Sequence, residues 1–352
     1  MTTAPKDSAE GQAEPDEALP EPVSGAQSAA LFEAFFAPRR HVLLAVSGGA
    51  DSTALLVLAA EWADKRARPK LSVATVDHAL RPEAAEEIEA VARIAEAFDL
   101  PHARLPAPVE VRTKIESTAR TLRYEALVGH AKAIGADALA TAHTLDDQAE
   151  TVLMRIAAGS GPVGLSAMRP VIDRDGVAHV RPFLTIAKSN LVASLEQRVM
   201  RWADDAMNAD PAFARARLRA GREALTREGL TPERLATLAF RMARVNEAVD
   251  ASVDAAEAAF VSPKSRGQVI APGAARLPDE VKLRLLGRVA HAVGGGRVHL
   301  ERLERLADRI VTEPSGAATL AGARLEWRDD GRIVVRRAPP RRRDGADGPA
   351  GL

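Results

Sequence analysis

A short loop near the start of the chain carries residue types that bind phosphate. Its sequence, SGGADS at residues 47–52, separates an apolar run from a second apolar segment with helical spacing. Two adjacent glycines, Gly48 and Gly49, let a backbone approach a ligand closely, and a helix that begins here directs its free N–H groups toward an anion. Ser47 and Ser52 can donate hydrogen bonds, and Asp51 can hold Mg²⁺ against phosphates. The glycines alone are explained more simply by a strand-to-helix turn with a serine cap, and no Walker-type Gly-Lys-Ser/Thr triplet occurs in the chain.

A second polar segment, TAHTLDDQAET at residues 141–151, also follows an apolar run. On the helix that its spacing predicts, Asp147 and Glu150 share one face, and Asp146 can cap the helix start. Two carboxylates beside a phosphate site repel each other and the phosphates, so they require a cation, either a metal ion or an ammonium group. A solvated helix start is the simpler interpretation, and it explains Asp146 better than Glu150.

Two more clusters add a histidine and two arginines. The segment VDHALR, residues 76–81, places His78 at the end of a predicted strand, and ARTLRY, residues 119–124, places Arg120 and Arg123 on one helix face. Both guanidinium groups could bind one phosphate group. Taken alone, each cluster is explained more simply without a ligand, the first by structural contacts of its side chains and the second by a surface pair of arginines.

The elements around these clusters alternate between strands and helices. Short apolar runs predict strands at 42–46, 71–76 and 138–141, and helical spacing predicts helices at 82–98 and 117–134. This alternation predicts an α/β fold, a doubly wound parallel sheet with helices on both faces. Ligands of such folds bind beyond the carboxyl ends of the strands, where these polar clusters begin.

The remaining segments predict a smaller second domain between two extensions. Residues 1–28 lack periodicity and are expected to be disordered, with folding from about Leu31, and residues 338–352 are expected to be a disordered tail. The catalytic domain is predicted at 29–222, and a helical linker with a small α+β domain at 223–337. Within that last segment the pattern predicts a Gly/Pro-interrupted connection at 263–278, helices at 279–293 and 300–311, and a hairpin at 323–337.

The composition limits the classes of protein and partner. A chain of 352 residues favours two domains, and its formal net charge of zero means that a nucleic-acid partner must be recognised by local basic clusters. No run approaches the ~18 apolar residues of a membrane span, and the acidic N-terminus has no signal pattern, so we expect a cytoplasmic protein without a membrane partner. The absence of cysteine excludes thiolate metal sites and cysteine nucleophiles.

Taken in order, the four motifs resemble a known family. The loop at 47–52 resembles the pyrophosphate-binding loop of the N-type ATP pyrophosphatases (PP-loop proteins, with an adenine nucleotide alpha hydrolase-like fold), and the motifs together, from about 40 to 222, are similar to those of the tRNA(Ile)-lysidine synthetases. The resemblance implies that ATP adenylates the C2 oxygen of the wobble cytidine of tRNA(Ile) with a CAU anticodon. The amine of free L-lysine then displaces AMP to give lysidine.

The resemblance also implies roles for particular residues. Asp51 and Arg123 would be catalytic, Asp51 would bind Mg²⁺, and Asp147 and Glu150 would bind lysine. The family's Pro-Ser pair before an asparagine is replaced here by residues 206–207, Ala-Met, so roles assigned to that serine do not transfer. The ATP-binding set would be Ser47, Gly48, Gly49, Asp51, Ser52, His78, Arg120, Thr141 and His143, and the tRNA-binding set Asn208, Arg215, Arg217 and Arg219.

Several alternatives share the same loop. The absence of cysteine excludes tRNA thiolases that relay sulfur through protein cysteines and the amidotransferase form of GMP synthetase. An NAD synthetase-like ligase stays open, but it leaves unexplained the second domain and a predicted arginine-rich helix that contains Arg215, Arg217, Arg219 and Arg222. A catalytically silent RNA-binding module is disfavoured because Ser47, Asp51, Ser52, Asp147 and Glu150 are all intact. The oligomeric state is left open, with a homodimer as one option.

Overall fold

The computed structural model describes residues 19–64, 69–77, 84–107, 115–203 and 214–339. Contacts divide the chain into two compact units, residues 1–240 and 241–352. None of the helices in the described ranges is long and apolar enough to span a membrane. The elements of the first unit are α1 (Gly25–Phe35), β1 (His41–Ala45), α2 (Ala50–Ala63), β2 (Lys70–Asp77), α3 (Ala84–Ala97), β3 (His102–Pro106), α4 (Ile115–Ala133), β4 (Ala138–Ala140), α5 (Leu145–Ala157), α6 (Pro162–Leu165), β5 (Val171–Arg174), β6 (Val177–Val180), α7 (Lys188–Gln197), α8 (Ala214–Ala220), α9 (Arg222–Arg227) and the start of α10 (Pro232–Phe260).

The first unit contains a six-stranded sheet in the order β3-β2-β1-β4-β6-β5. Neighbouring strands are parallel, except that the edge strand β5 runs antiparallel to β6. The predicted doubly wound α/β fold is therefore confirmed. Strands β3, β5 and β6, which the apolar runs did not predict, complete the sheet on either side.

Both faces of the sheet are buried under helices. Leu43 of β1 packs with residues of α4 on one face, whereas its neighbours Val42 and Leu44 pack with α1, α2 and α7 on the other. Alternate side chains of a strand point to opposite faces, so a strand covered on both sides reads as a continuous apolar run. This explains why the sequence of β1 shows no alternation.

The strand order creates a crevice between β1 and β4. The chain runs outward from β1 through β2 to β3, and then returns to place β4 on the other side of β1. Ligands of open α/β sheets bind where the strand order reverses in this way. The loops that follow β1 and β4 therefore flank the expected binding crevice, and both begin with the polar segments singled out above.

The fold begins earlier than the sequence pattern suggested. Helix α1 starts at Gly25, inside the predicted extension, and the Ser24 side chain accepts a hydrogen bond from the Gln27 backbone as an N-cap. The Val23 backbone N–H donates to Ser194 Oγ over 2.8 Å, which ties this segment to α7. The expected start near Leu31 is thus too late, because the capping serine is hidden among Pro, Glu and Ala residues. Residues 1–18 lie outside the described part of the chain.

The division between the units falls after the predicted boundary at 222/223. Leu235 and Ala239 at the start of α10 are buried against Ala149 and Val152 of α5. This apolar contact joins the first turns of α10 to the first unit, whose limit lies at Phe240. Local composition cannot predict such a contact, because the contact joins segments that are far apart in sequence.

The second unit has a five-stranded antiparallel sheet in the order β7-β8-β11-β10-β9. The predicted hairpin is formed by β10 and β11, which pair Trp327 with Ile333, and the two predicted helices are present. The predicted irregular connection instead contains the hairpin β7–β8, in which Pro263 is accommodated because β7 is an edge strand. The elements are β7 (Val261–Lys264), β8 (Gly267–Ile270), a 3-10 helix (Pro272–Arg276), α11 (Asp279–Gly294), α12 (Leu300–Thr312), β9 (Gly316–Leu320), β10 (Ala323–Trp327) and β11 (Ile333–Arg337).

Candidate active site

The loop after β1 is shaped for an anion. Gly48 has a φ of 95°, which lies in the left-handed region that favours glycine, and Gly49 is the N-cap of α2 with no side-chain capping bond. The Ser52 hydroxyl donates to the Gly49 carbonyl over 3.0 Å and accepts from the Ser47 backbone N–H over 3.1 Å. Ser52 lies in the first turn of α2 and stabilises the preceding loop through these two hydrogen bonds. It is not the N-cap of the helix, contrary to the simpler interpretation of the sequence, which had a serine cap. The N–H groups of the α2 N-terminus keep the arrangement that binds phosphate.

Asp51, in the first turn of α2, has one carboxylate oxygen that is suited to a cation. Its Oδ1 is buried without a hydrogen-bond partner among the described residues, and its Oδ2 lies 3.8 Å from Lys188 Nζ. Burial raises the pKa of Asp51 to about 6, with Lys188 lowering it and Asp147 and Asp146 raising it. The unpartnered oxygen fits a Mg²⁺ ion. Among the residues that the structure describes, no group of three acidic or histidine side chains is arranged to hold a metal ion.

The start of α5 is fixed by a capping box. Thr144 is the N-cap, and Asp147 Oδ2 accepts the Thr144 backbone N–H over 2.9 Å, while the Asp147 N–H donates to the Thr144 hydroxyl. The expectation that Asp146 caps this helix is therefore wrong. Asp146 instead accepts the Lys188 backbone N–H over 2.7 Å and lies 2.7 Å from Arg222 Nη1, which binds the start of α7 and α9 to α5.

The carboxylates of Asp147 and Glu150 share a guanidinium group. Arg219 Nε donates to Glu150 Oε1 over 2.5 Å, and Arg219 Nη2 lies 4.0 Å from Asp147 Oδ1. The cation that two neighbouring carboxylates require is thus supplied by the protein itself, from helix α8. Arg219 was expected to contact tRNA, and because its side chain is still partly exposed, that contact stays a prediction.

These groups line one cavity of about 260 Å³. Asp51 reaches it from the loop after β1, and the carboxylates of Asp147 and Glu150 reach it from the helix after β4. The structure therefore brings together residues that the sequence placed in separate motifs. The wall contains both acidic and basic groups, and it also includes Asp146, Lys188, Arg219 and Arg222.

A second cluster lies at the end of β4. The guanidinium carbons of Arg120 and Arg123 lie 5.6 and 5.2 Å from the centre of the Tyr124 ring, so both side chains do share one helix face. Thr141 Oγ1 is 2.8 Å from His143 Nδ1. Tyr124 and His143 both pack near the buried ring of His179, which joins the arginine motif of α4 to the histidine motif after β4.

His78 and Asn208 lie outside the described residues. Arg215 belongs to the backbone of α8, but its side chain lies outside the described part as well, whereas Arg217 is exposed on the same helix. Nothing in the geometry tests the roles assigned to these positions, and they stay predictions.

Lys188 and Arg222 line the cavity, and neither is among the site residues that the sequence patterns predicted. Lys188 is the first residue of α7, in the connection that follows β6. The run VAHVRPFL at 177–184 was not recognised as containing a strand, so Lys188 was not recognised as a residue beyond a strand end. The apolar and β-branched residues of this run were the signal available.

Comparison with known proteins identifies the family. The sequence profile of the PP-loop domain matches residues 21–223. The chain is 48% identical over 318 residues to the tRNA(Ile)-lysidine synthase of Methylobacterium nodulans, covering 86% of this chain and 91% of that protein. It is 44% identical over 349 residues to the tRNA(Ile)-lysidine synthase of a Bradyrhizobium species, covering 92% of this chain and 97% of that protein.

A solved structure supports the fold alone. The U34-tRNA thiolase NcsA from Methanococcus maripaludis superposes with a TM-score of 0.53 at 15% identity, over 62% of this chain and 78% of that one. The sheet, the loop after β1 and the sequence comparisons agree with one another. The chain belongs to the tRNA(Ile)-lysidine synthase family, and its first unit contains the PP-loop domain.

Proposed function

We propose that the protein ligates L-lysine to C2 of the wobble cytidine of tRNA(Ile) with a CAU anticodon. The C2 oxygen of the cytidine attacks the α-phosphorus of ATP and pyrophosphate leaves. An amine of lysine then attacks C2, and AMP leaves with the former C2 oxygen. The observation that carries the proposal is the single cavity that contains both Asp51 of the phosphate loop and the carboxylates of Asp147 and Glu150.

The nucleotide is proposed to bind at the crevice between β1 and β4. The backbone N–H groups of the α2 N-terminus and the Ser47 hydroxyl supply hydrogen-bond donors for the polyphosphate, while Ser52 holds the shape of the loop. Lys188 adds a positive charge beside Asp51. Arg123 and Arg120 would stabilise negative charge that develops during adenylation. A Mg²⁺ ion held by Asp51 would neutralise part of the polyphosphate charge when it is bound.

Lysine is proposed to bind at Asp147 and Glu150. This carboxylate pair already holds a guanidinium group, that of Arg219, and a lysine ammonium carries the same charge. Buried carboxylates favour a cation because each is otherwise left without compensation in a poorly solvated site. An incoming ammonium therefore has to share the pair with Arg219 or replace it.

The tRNA is proposed to contact α8 and the second unit. Arg217 is exposed on α8, one helical turn before the start of α9, and Arg215 and Asn208 are added by the family resemblance. Phosphate contacts by arginine release counterions, so this part of the affinity should fall as salt rises. The assignment of residues 223–337 as a helical linker and tRNA-binding domain rests on the same family resemblance.

A labelling assay tests the function directly. The full chain is incubated with ATP, radiolabelled lysine and one of two tRNA(Ile) transcripts, identical except for cytidine or uridine at the wobble position. Label should enter only the transcript with cytidine, and Asp51→Ala should abolish pyrophosphate release while the variant stays folded. Cleavage of ATP without label in the cytidine transcript would contradict the proposal.

A further inference from the structure

A buried histidine outside the assigned site has its protonation pattern fixed by two arginines. His179 on β6 is fully buried, and its Nδ1 accepts a hydrogen bond from Arg174 Nε over 2.9 Å and lies 3.2 Å from Arg181 Nη2. A guanidinium group has donors only, so Nδ1 must be an acceptor and the ring proton must be on Nε2. Burial, followed by the charges of Arg181 and Arg174, lowers the pKa of His179 to about 2, so the ring stays neutral.

The same hydrogen-bond direction continues to Thr141. His179 Nε2 lies 2.8 Å from Thr141 Oγ1, and this oxygen also lies 2.8 Å from His143 Nδ1. Within the described part of the chain, these two ring nitrogens are the only hydrogen-bond partners of the Thr141 hydroxyl. Since His179 Nε2 is a donor, the single hydroxyl proton of Thr141 has one acceptor left, which is His143 Nδ1.

We infer that the hydrogen-bonded chain Arg174/Arg181–His179–Thr141–His143 holds His143 in the tautomer that carries its proton on Nε2. His179 is then a positioning residue that acts on His143 through Thr141. The opposite arrangement, with a proton on His143 Nδ1, would leave the Thr141 hydroxyl proton without an acceptor among the described residues. An unsatisfied buried donor disfavours that arrangement by a factor of about ten or more.

The tautomer decides what His143 can do in the reaction, and this consequence rests on the proposed function. A neutral ring with a proton on Nε2 offers an N–H donor to a phosphate oxygen, and it cannot accept a proton at that nitrogen. His143 would therefore stabilise negative charge on the nucleotide as a hydrogen-bond donor. It would not act as the general base that takes a proton from cytidine or lysine through Nε2.

Nitrogen NMR of the histidine rings tests the tautomer without any substrate. The full chain has eight histidines, and their ¹⁵N shifts and couplings to ring protons separate the two neutral tautomers. The His143 signals are assigned by their loss in His143→Asn. We expect wild-type His143 to be in the Nε2–H form at neutral pH. A dominant Nδ1–H form, or a rapid mixture of the two, would overturn the inference whether or not the protein makes lysidine.

Two matched pairs of variants test the path. Thr141→Ser keeps the hydroxyl and should keep the tautomer, while Thr141→Val should raise the ratio of the Nδ1–H form to the Nε2–H form by about tenfold. His179→Gln keeps one hydrogen-bond acceptor and one donor and should preserve the ¹⁵N signals of the Nε2–H form of His143. His179→Leu has neither group and should lose these signals. The kcat for pyrophosphate release should follow the fraction of His143 in the Nε2–H form, with about a twofold loss in Thr141→Val and His179→Leu if the ratio of the two tautomers falls from about ten to about one. An unchanged His143 spectrum in both of these variants would remove His179 and Thr141 from the path.

Discussion

Arg219 of α8 donates a hydrogen bond through Nε to Glu150 Oε1 of α5 over 2.5 Å. The two residues are 69 positions apart in the chain, and no local pattern connects them. The Arg219 guanidinium group binds the same carboxylates, those of Asp147 and Glu150, that would bind a cationic substrate. Substitutions of Glu150 and of Arg219 should therefore have opposite effects on the affinity for lysine.

Removing the charge of Glu150 should weaken lysine binding selectively. In Glu150→Gln the side chain keeps its size, but the pair loses one of the two charges that hold a cation. A charge-assisted hydrogen bond contributes roughly 1.5–3 kcal/mol, so the Kd for lysine should rise by a factor of at least about ten, while the Kd for ATP changes little. Calorimetric titration of each ligand measures both. Glu223→Gln, on an exposed side chain of α9, is the control. Equal losses for ATP and lysine would argue against a lysine role.

Removing the guanidinium of Arg219 should strengthen lysine binding in the absence of tRNA. Arg219→Met keeps an apolar stem but removes the guanidinium group from Asp147 and Glu150, so that this group no longer competes with the lysine ammonium for the two carboxylates. The Kd for lysine should fall several-fold. Arg217→Met, on the same helix with an exposed side chain, should leave lysine affinity unchanged. Weaker lysine binding in Arg219→Met would instead mean that Arg219 helps to build the lysine pocket.

The buried carboxyl of Asp51 should make stability depend on pH. Its pKa is raised to about 6 in the folded chain from 3.8, so the folded state binds its proton more tightly than the unfolded state. The resulting stabilisation is complete below pH 3.8 and is lost as the pH rises through about 6, by at most about 3 kcal/mol. Asp51→Asn should therefore be more stable than the wild type at pH 7.5, and this advantage should disappear near pH 4. Urea unfolding at both pH values measures it, and a constant difference would show that Asp51 does not titrate in this range.

The sequence was sufficient to predict the position of those site residues that directly follow a recognised strand. The loop at Ser47 and the segment at Thr141 follow apolar runs that form β1 and β4, and adjacent parallel strands necessarily deliver them to one edge. Lys188 was missed because β6 was not recognised. The position of Arg219 and the contacts of His179 depend on long-range packing, which periodicity and local propensity do not encode.

The two glycines of the phosphate loop should respond differently to the same substitution. Gly48 has a φ of 95°, and its carbonyl is held by the Ala203 N–H over 2.9 Å and the Thr53 hydroxyl over 3.1 Å, so the backbone cannot relax easily. Gly48→Ala should cost about 1–2 kcal/mol of unfolding free energy. Gly49 has a φ of −70°, which any residue adopts, and an added Cβ would meet only Ser47 Oγ at 3.9 Å. Gly49→Ala should therefore cost less than Gly48→Ala, by no more than the roughly 0.5–1 kcal/mol by which alanine is a poorer N-cap than glycine. Urea unfolding of both variants compares them, and equal losses would mean that the strain at Gly48 is not what requires glycine in this loop.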